Sequence, residues 1–241
     1  MDPNLTNITL DEPFRFACSK TVPCFNECCR DLNQFLTPYD ILRLKNHFAM
    51  SSDDFLKKYC SRHTGPESGL PIVTLRPKTA PQLICPYVTP AGCSVYADRP
   101  SSCRTYPLVR AISRSRETGI ISERFMVLKE NHCLGFNENN TQTVREWIEH
   151  QGLAEYNEHN DLLMDLISLK NQLRPDPLDL KSAHIFHLAL YDLDSFRLQI
   201  FDNHLVNTHE MEPAMIEAIQ SDDVALLKFG IEWVQRELFG Q

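Results

Sequence analysis

The chain lacks the short motifs that mark the commonest nucleotide-binding and hydrolytic folds. Its 8 glycines, among 241 residues, form no G-x-G pair, so the phosphate-binding loops of dinucleotide-binding and P-loop folds are missing. The G-x-S-x-G elbow of hydrolases and the H-E-x-x-H pair of zinc proteases are also absent. Positive sequence evidence for catalysis is therefore thin, and the sequence leaves open whether the protein is an enzyme.

Basic charge and long apolar runs are scarce as well. The net charge is -8, which disfavours nucleic acid or an anionic membrane surface as a partner. No apolar run approaches the roughly 18 residues of a membrane span. The N-terminus, from Met1 to Asn4, has no basic region followed by an apolar one, as an export signal would. We expect a soluble cytoplasmic protein without a membrane span, which binds no nucleic acid and has an unidentified protein or redox partner.

Cysteine, in contrast, is plentiful, and eight of the nine cysteines are clustered. A dense thiol set forms disulfides or binds metal, and a reducing cytosol favours metal. The chain is also long enough to bury a core without disulfides. Cys60 stands apart at the end of a predicted short helix, and we expect it to pack as a buried thiol. The clustered cysteines are Cys18, Cys24, Cys28, Cys29, Cys85, Cys93, Cys103 and Cys133.

The spacing of these cysteines bears on which metal they bind. Thiolates suit Zn²⁺ and iron–sulfur clusters. Structural zinc sites usually contain C-x2-C pairs, and this chain has none. Its C-x5-C-x3-C-C and C-x7-C-x9-C runs modestly favour an iron–sulfur cluster, although the C-x2-C-x2-C run of ferredoxins is absent too. Zinc stays open, as does the number of centres, one or two, and which cysteines share a metal.

The predicted fold is α+β and mainly helical, with a change of character near residue 140. A loop-dominated, cysteine-rich domain is expected over residues 12–140, and a helical region packed on it over 141–241. The first thirty residues show neither a helical nor a strand period. Helices are predicted to begin at Thr37 with Asp40 completing the cap, at Ser52, at Thr143 with Glu146, near Ser182, and at Ser221, the last one ending at Gly240. Strands are predicted at 72–75, 108–113 and 122–128, the last two joined by a turn at 116–119.

Three parts of the sequence together resemble a known family. They are Cys28-Cys29-Arg30, the block G-C-x-V-Y-x-x-R-P-x-x-C-R-x-Y-P from Gly92 to Pro107, and Cys133-Leu134-Gly135. They resemble the YkgJ family, described as a zinc- or iron-chelating cysteine-cluster domain that has flagellin lysine N-methylase among its relatives. The resemblance covers about residues 18–160 and implies metal or iron–sulfur ligation. The cysteines it implies as ligands are Cys18, Cys24, Cys28, Cys29, Cys85, Cys93, Cys103 and Cys133. The first gap, five residues long, is wider than the family leads us to expect.

Several functions are compatible with these features. The first is a metal-binding protein that transfers electrons or uses the metal as a scaffold. The second is an S-adenosylmethionine-dependent protein-lysine methyltransferase, which rests on the resemblance alone. A third is a structural zinc protein, or a redox sensor that uses Cys29 or Cys60.

Three arginines beside the cysteines, Arg30, Arg99 and Arg104, have two alternative roles. They could donate hydrogen bonds to thiolate sulfur. Alternatively, Arg99 belongs to a surface turn and pairs with Asp98. The nearby tyrosines of the block, Tyr96 and Tyr106, are expected to be core aromatics.

Overall fold

The computed structural model describes residues 3–66, 68–78, 81–114, 118 and 121–240, and it confirms the α+β, mainly helical fold class. The helices of this part are α1 Pro38–His47, α2 Ser52–Tyr59, α3 Ser101–Thr105, α4 Val144–His150, α5 Leu153–Leu173, α6 Leu180–Leu190, α7 Leu193–Phe201, α8 Pro213–Ser221 and α9 Asp223–Phe239. The strands are β1 Leu5–Ile8, β2 Pro13–Arg15, β3 Phe35–Leu36, β4 Cys60–Thr64, β5 Pro71–Leu75, β6 Val88–Thr89, β7 Gly92–Cys93, β8 Leu108–Arg114, β9 Ile121–Leu128 and β10 Thr141–Thr143.

The described residues divide into two compact units. The first comprises those within Met1–Leu32 and Pro77–Tyr156, and the second those within Asn33–Arg76 and Asn157–Gln241. We call the first the cysteine unit, because all eight clustered cysteines belong to it, and the second the helical unit. The predicted domain boundary near residue 140 stays a prediction.

The cysteine unit is built on short antiparallel sheets. Strands β1 and β8 flank β9, β2 pairs with β10, and β6 pairs with β7. The predictions of β8 and β9 are confirmed, whereas the turn predicted at 116–119 lies outside the described residues, apart from Thr118. The expectation of an irregular N-terminus was wrong at β1 and β2. One buried core cluster of this unit comprises Ile8, Phe14, Phe16, Leu108, Phe125, Val144, Trp147 and Leu153.

Local capping signals set most of the predicted helix starts. Thr37 and Asp40 form a capping box at α1, and Thr143 and Glu146 form one at α4, as predicted. The cap predicted for the last helix was wrong by one residue. The Ser221 hydroxyl donates to the Glu217 carbonyl within α8, while the Asp222 carboxylate accepts the Val224 N–H of α9 at 2.7 Å. Gly240 ends α9 with a φ of 68°, as predicted.

Helices α6 and α9 of the helical unit approach each other closely. A Cβ added at Gly230 would lie 2.4 Å from the Ala189 carbonyl oxygen, so only glycine allows this approach. In the same unit, β5 lies between β3 and β4 and confirms the strand predicted at 72–75. In the part of the chain that the structure describes, none of the helices combines the length and the apolar character needed to cross a bilayer.

Candidate metal centre

The first cysteine cluster lies on an irregular segment that backbone hydrogen bonds join to the second. Glu27–Cys29 is a single 3-10 turn, and the residue before it, Asn26, has a φ of 71°. The N–H of Cys85 donates to the carbonyl of Cys29 at 2.9 Å. A further bond, from the Asp31 N–H to the Gln82 carbonyl at 3.1 Å, continues this pairing. The two cluster-bearing segments therefore run side by side.

Cys93 lies on the tight hairpin formed by β6 and β7. Its neighbour Gly92 has a φ of 114°, and an added Cβ there would lie 3.0 Å from the ring of Phe25. Both the backbone conformation and this contact therefore favour glycine. The side-chain amide of Asn26 donates to the Thr89 carbonyl of the hairpin at 2.9 Å. These contacts fix Cys93 against the segment of the first cluster.

The Cys133-Leu134-Gly135 motif also contacts the first cluster. The Leu134 N–H donates to Sγ of Cys24 at 3.1 Å. The Ala17 N–H donates to the Gly135 carbonyl at 3.1 Å. An added Cβ at Gly135 would lie 2.6 Å from the Ala17 carbonyl oxygen. The glycine of the motif is therefore what permits the two segments to come this close.

Cys28 and Cys29 form a hydrogen-bonded thiol pair with divergent acidities. The hydrogen bond with Cys29 lowers the pKa of Cys28 to about 7, against the opposing effect of burial. The same bond raises the pKa of Cys29, as do burial and the nearby thiols of Cys85 and Cys103. The pair therefore releases one proton near neutral pH and holds the second, which suits ligation by one thiolate of the pair.

The remaining cysteines of the set interact with one another through their charges. Partial burial raises the pKa of Cys18 to about 11, and burial also raises the pKa values of Cys85 and Cys93. Neighbouring thiols add to each increase. Cys18 interacts with Cys24, Cys28 and Cys133. Cys29 interacts with Cys28, Cys85 and Cys103. Cys93 interacts with Cys28 and Cys85. Each of the eight clustered thiols thus lies within electrostatic reach of at least one other.

The donor set fits a soft metal by its chemistry. All eight donors are thiols, the ligands that zinc and iron–sulfur clusters take, and one of them has a pKa near neutrality. Among the described residues, no three His, Cys, Asp or Glu side chains are already arranged so that they could hold one ion. The assignment of the eight cysteines as ligands, and their division between centres, stay predictions.

Arg99 and Arg104 are buried structural side chains. Arg104 donates to the carbonyls of Ala97, Arg99 and Gln151, with 2.7 Å between its Nη1 and the last of these. Arg99 donates to the Tyr96 carbonyl at 2.6 Å and to the side chain of Gln151. Both residues are only 8% exposed, so the surface-turn alternative for Arg99 was wrong. Its positive charge nevertheless acts to lower the thiol pKa values of two cysteines of the set.

The other role considered for the three arginines was hydrogen-bond donation to thiolate sulfur, and their described hydrogen bonds and ion pairs do not include it. The hydrogen bonds of Arg99 and Arg104 go to oxygen acceptors, and Arg30 forms an exposed ion pair with Glu27 at 3.1 Å. The influence of Arg99 on the thiols is therefore electrostatic.

Sequence reasoning missed the position of Tyr106. Its buried hydroxyl lies beside the thiol of Cys133 and the carboxylate of Glu130, and its pKa is raised by burial first and by these two groups next. The ring itself packs on Phe16, with 6.0 Å between centroids. The sequence placed Tyr106 in the core, which the packing of its ring confirms, but no local pattern indicates that its hydroxyl reaches a cysteine 27 residues further along the chain.

Cys60 belongs to the helical unit and not to the cysteine set. It begins β4 and is 5% exposed, which confirms the predicted buried thiol. Burial raises its pKa to about 12, and Arg76 opposes this increase.

Comparison with known families gives one match. The family model CxxCxxCC, described as "Putative zinc- or iron-chelating domain", matches residues 17–134. The match begins immediately before Cys18 and ends immediately after Cys133, so it contains all eight cysteines of the set. No curated protein and no solved structure matches the chain. The match supports metal binding, while the spacing of the first three cysteines departs from the family's name.

Three observations concern the same stretch of chain. They are the eight clustered cysteines, the close contacts at glycines that bring their segments together, and the family match. Residues 17–134 therefore match the CxxCxxCC family model, with which the resemblance to the YkgJ family is consistent.

Proposed function

We propose that the cysteine unit binds an iron–sulfur cluster through thiolates of the eight clustered cysteines and exchanges electrons with a protein partner. The observation that carries the proposal is the partition of the cysteines. Eight interacting thiols belong to one unit, while Cys60 is buried in the other. A set of this size exceeds the four ligands of a single zinc ion, and iron–sulfur clusters are held by cysteine thiolates.

Solvent access of the set favours electron transfer over a purely structural role. Cys18, Cys28 and Cys103 are exposed, whereas Cys85 is buried. A centre bound by these residues would have one side near the protein surface, where a partner can approach it. The Leu134 N–H bond to Cys24 and the charge of Arg99 would both stabilise added negative charge at the centre, which is the condition for accepting an electron.

Anaerobic purification followed by elemental analysis and visible spectroscopy tests the metal. We expect a brown protein that contains iron and acid-labile sulfide, with a broad visible band that bleaches on reduction by dithionite and returns on reoxidation. A colourless protein with stoichiometric zinc would contradict the iron–sulfur proposal and leave the structural zinc alternative. The iron content per chain gives the number of centres.

A further inference from the structure

An open cavity of about 310 Å³ lies at the surface of the cysteine unit, along the block that starts at Gly92. Its wall is formed by two segments, Tyr96 to Arg104 and Glu149 to Gly152, which the hydrogen bonds of Arg104 join. Cavities of about 300 Å³ and larger are the size that proteins use for small ligands.

The buried wall of this cavity carries two positive charges whose described hydrogen bonds go to neutral acceptors. Arg99 and Arg104 are each 8% exposed, and every oxygen that accepts their described hydrogen bonds is a backbone carbonyl or an amide. Each guanidinium has five N–H donors. The described bonds use two donors of Arg99 and three of Arg104, so donors remain. Burial disfavours the charged form of Arg99 and lowers its pKa, the thiols of Cys103 and Cys93 oppose this effect, and an anion in the cavity would oppose it further.

The rim of the cavity limits what else the ligand can carry. Tyr96 is 61% exposed, and the centroid of its ring lies 3.8 Å from the guanidinium carbon of Arg99. Glu149 and His150, both exposed, line the same opening. The Glu149 carboxylate would repel a second negative charge at the rim. The fitting ligand is therefore small and has its negative charge at one end.

We propose that this cavity binds a small organic anion whose carboxylate or phosphate group contacts Arg99 and Arg104. The site is adjacent to the cysteine set, because the charge of Arg99 also acts on Cys18 and Cys93. This ligand site is additional to the proposed function. Only its position beside a metal centre depends on that function. The cavity itself contains no cysteine.

Isothermal titration calorimetry of the metal-loaded full chain, at constant ionic strength, tests the site with two probes, benzoate and phenyl phosphate. Both carry a ring that can stack on Tyr96, so the tighter probe identifies the anionic group. We expect saturable binding of one probe molecule per chain.

Three variants test the contacts of the bound probe. Arg99→Gln should weaken probe binding about tenfold or more. Glu149→Gln should tighten it by about two- to threefold, because a repulsive charge is removed. Arg145→Gln, an exposed arginine of the same helix as Glu149, should leave it unchanged.

The inference would be overturned if neither probe bound saturably. It would also be overturned if Glu149→Gln and Tyr96→Ala both left the affinity for the probe unchanged. These two positions are exposed, so their variants test the site even if Arg99→Gln does not fold. Loss of probe binding with full metal content would contradict this inference alone. Absence of metal with intact probe binding would contradict the proposed function alone.

Discussion

The absence of a side chain at Gly135 allows the segment around Cys133 to approach the segment before Cys18. A Cβ added to Gly135 would lie 2.6 Å from the Ala17 carbonyl oxygen and 2.7 Å from the ring of Phe16. Backbone atoms cannot yield as a flexible side chain can. We therefore expect Gly135→Ala to destabilise the cysteine unit by about 1–3 kcal/mol, the usual cost of overpacking, and to weaken metal retention. Urea unfolding and metal content after gel filtration measure the two effects.

Gly240→Ala is the matched control for this substitution. Gly240, unlike Gly135, adopts a positive φ, 68°, but an added Cβ there meets nothing within 4 Å. Only the backbone cost of about 1 kcal/mol is expected, with metal content unchanged. Equal effects of the two substitutions would show that the contact with Ala17 is unimportant.

The ligand assignment is also tested at single residues. The paired substitution Cys93→Ser and Cys103→Ser should abolish metal uptake at a site, because oxygen replaces two soft donors. Cys60→Ser should leave the metal content unchanged, since Cys60 belongs to the helical unit. Elemental analysis of the anaerobically purified variants gives the answer. Loss of metal in the Cys60 variant would contradict the predicted ligand set.

At the scale of the element, the sequence predicts what is decided within a few residues. Thr37 with Asp40 and Thr143 with Glu146 lie three residues apart, and both capping boxes were predictable for that reason. The short strands β1 and β2 were not, because their partners β9 and β10 lie more than a hundred residues away. Cys60 shows the same limit: its burial was predicted, but not its pairing with Leu75 in β4 and β5.

A buried ion-pair network joins three helices of the helical unit. Lys45 of α1 is 4% exposed and contacts Asp194 of α7 at 3.1 Å and Asp223 of α9 at 2.7 Å. Burial raises the pKa of Asp223, but hydrogen bonds from Arg197 and Lys45 outweigh it and lower the pKa overall. We expect Lys45→Met to cost about 1–3 kcal/mol, because the two carboxylates lose one cation while Arg197 still pairs with both. Urea unfolding measures the change.

A surface pair in the same unit provides the comparison for Lys45→Met. Lys57 contacts Asp53 at 2.6 Å, and its side chain is 73% exposed. Solvent screens such a pair, so Lys57→Met should leave the free energy of unfolding nearly unchanged. A loss of stability as large as that of Lys45→Met would show that burial is not what makes the Lys45 network important.

Helix α6 carries a histidine that makes stability depend on pH. Burial first, and the charge of Arg62 next, lower the pKa of His187 to about 4, from an ordinary value of 6.5. Between these values the unfolded chain binds a proton that the folded chain does not, so stability falls as the pH drops from 6.5 towards 4. Between pH 7 and pH 5 the loss should be about 2 kcal/mol.

His187→Leu isolates this contribution. Urea unfolding of the parent chain and of the variant at both pH values should show a smaller pH-dependent loss in the variant, whatever other groups titrate. Identical losses would contradict the assignment to His187.

At the scale of the whole molecule, clustering of the cysteines in the sequence was enough to identify the candidate site, but not its surroundings. The eight thiols could be singled out because they lie in short runs and Cys60 does not. The hydroxyl of Tyr106 beside Cys133 and the cavity at Arg99 depend on contacts between distant segments, which spacing does not encode. The gap from Cys103 to Cys133, for example, contains the whole β8–β9 pair.

The two compact units should differ in how much they depend on metal. The segment from Cys18 to Cys29 has a single 3-10 turn and little buried apolar surface, so ligation there should be coupled to folding. The helical unit has its own buried core, including Leu227 and Val234 of α9. Removal of metal should therefore raise amide exchange across Cys18–Cys29 and Cys85–Cys103, while Val224–Leu238 stays protected. Hydrogen exchange followed by mass spectrometry resolves these segments. A uniform loss of protection along the chain would mean that one metal-dependent core stabilises both units, because the helices alone would then be unable to keep their fold.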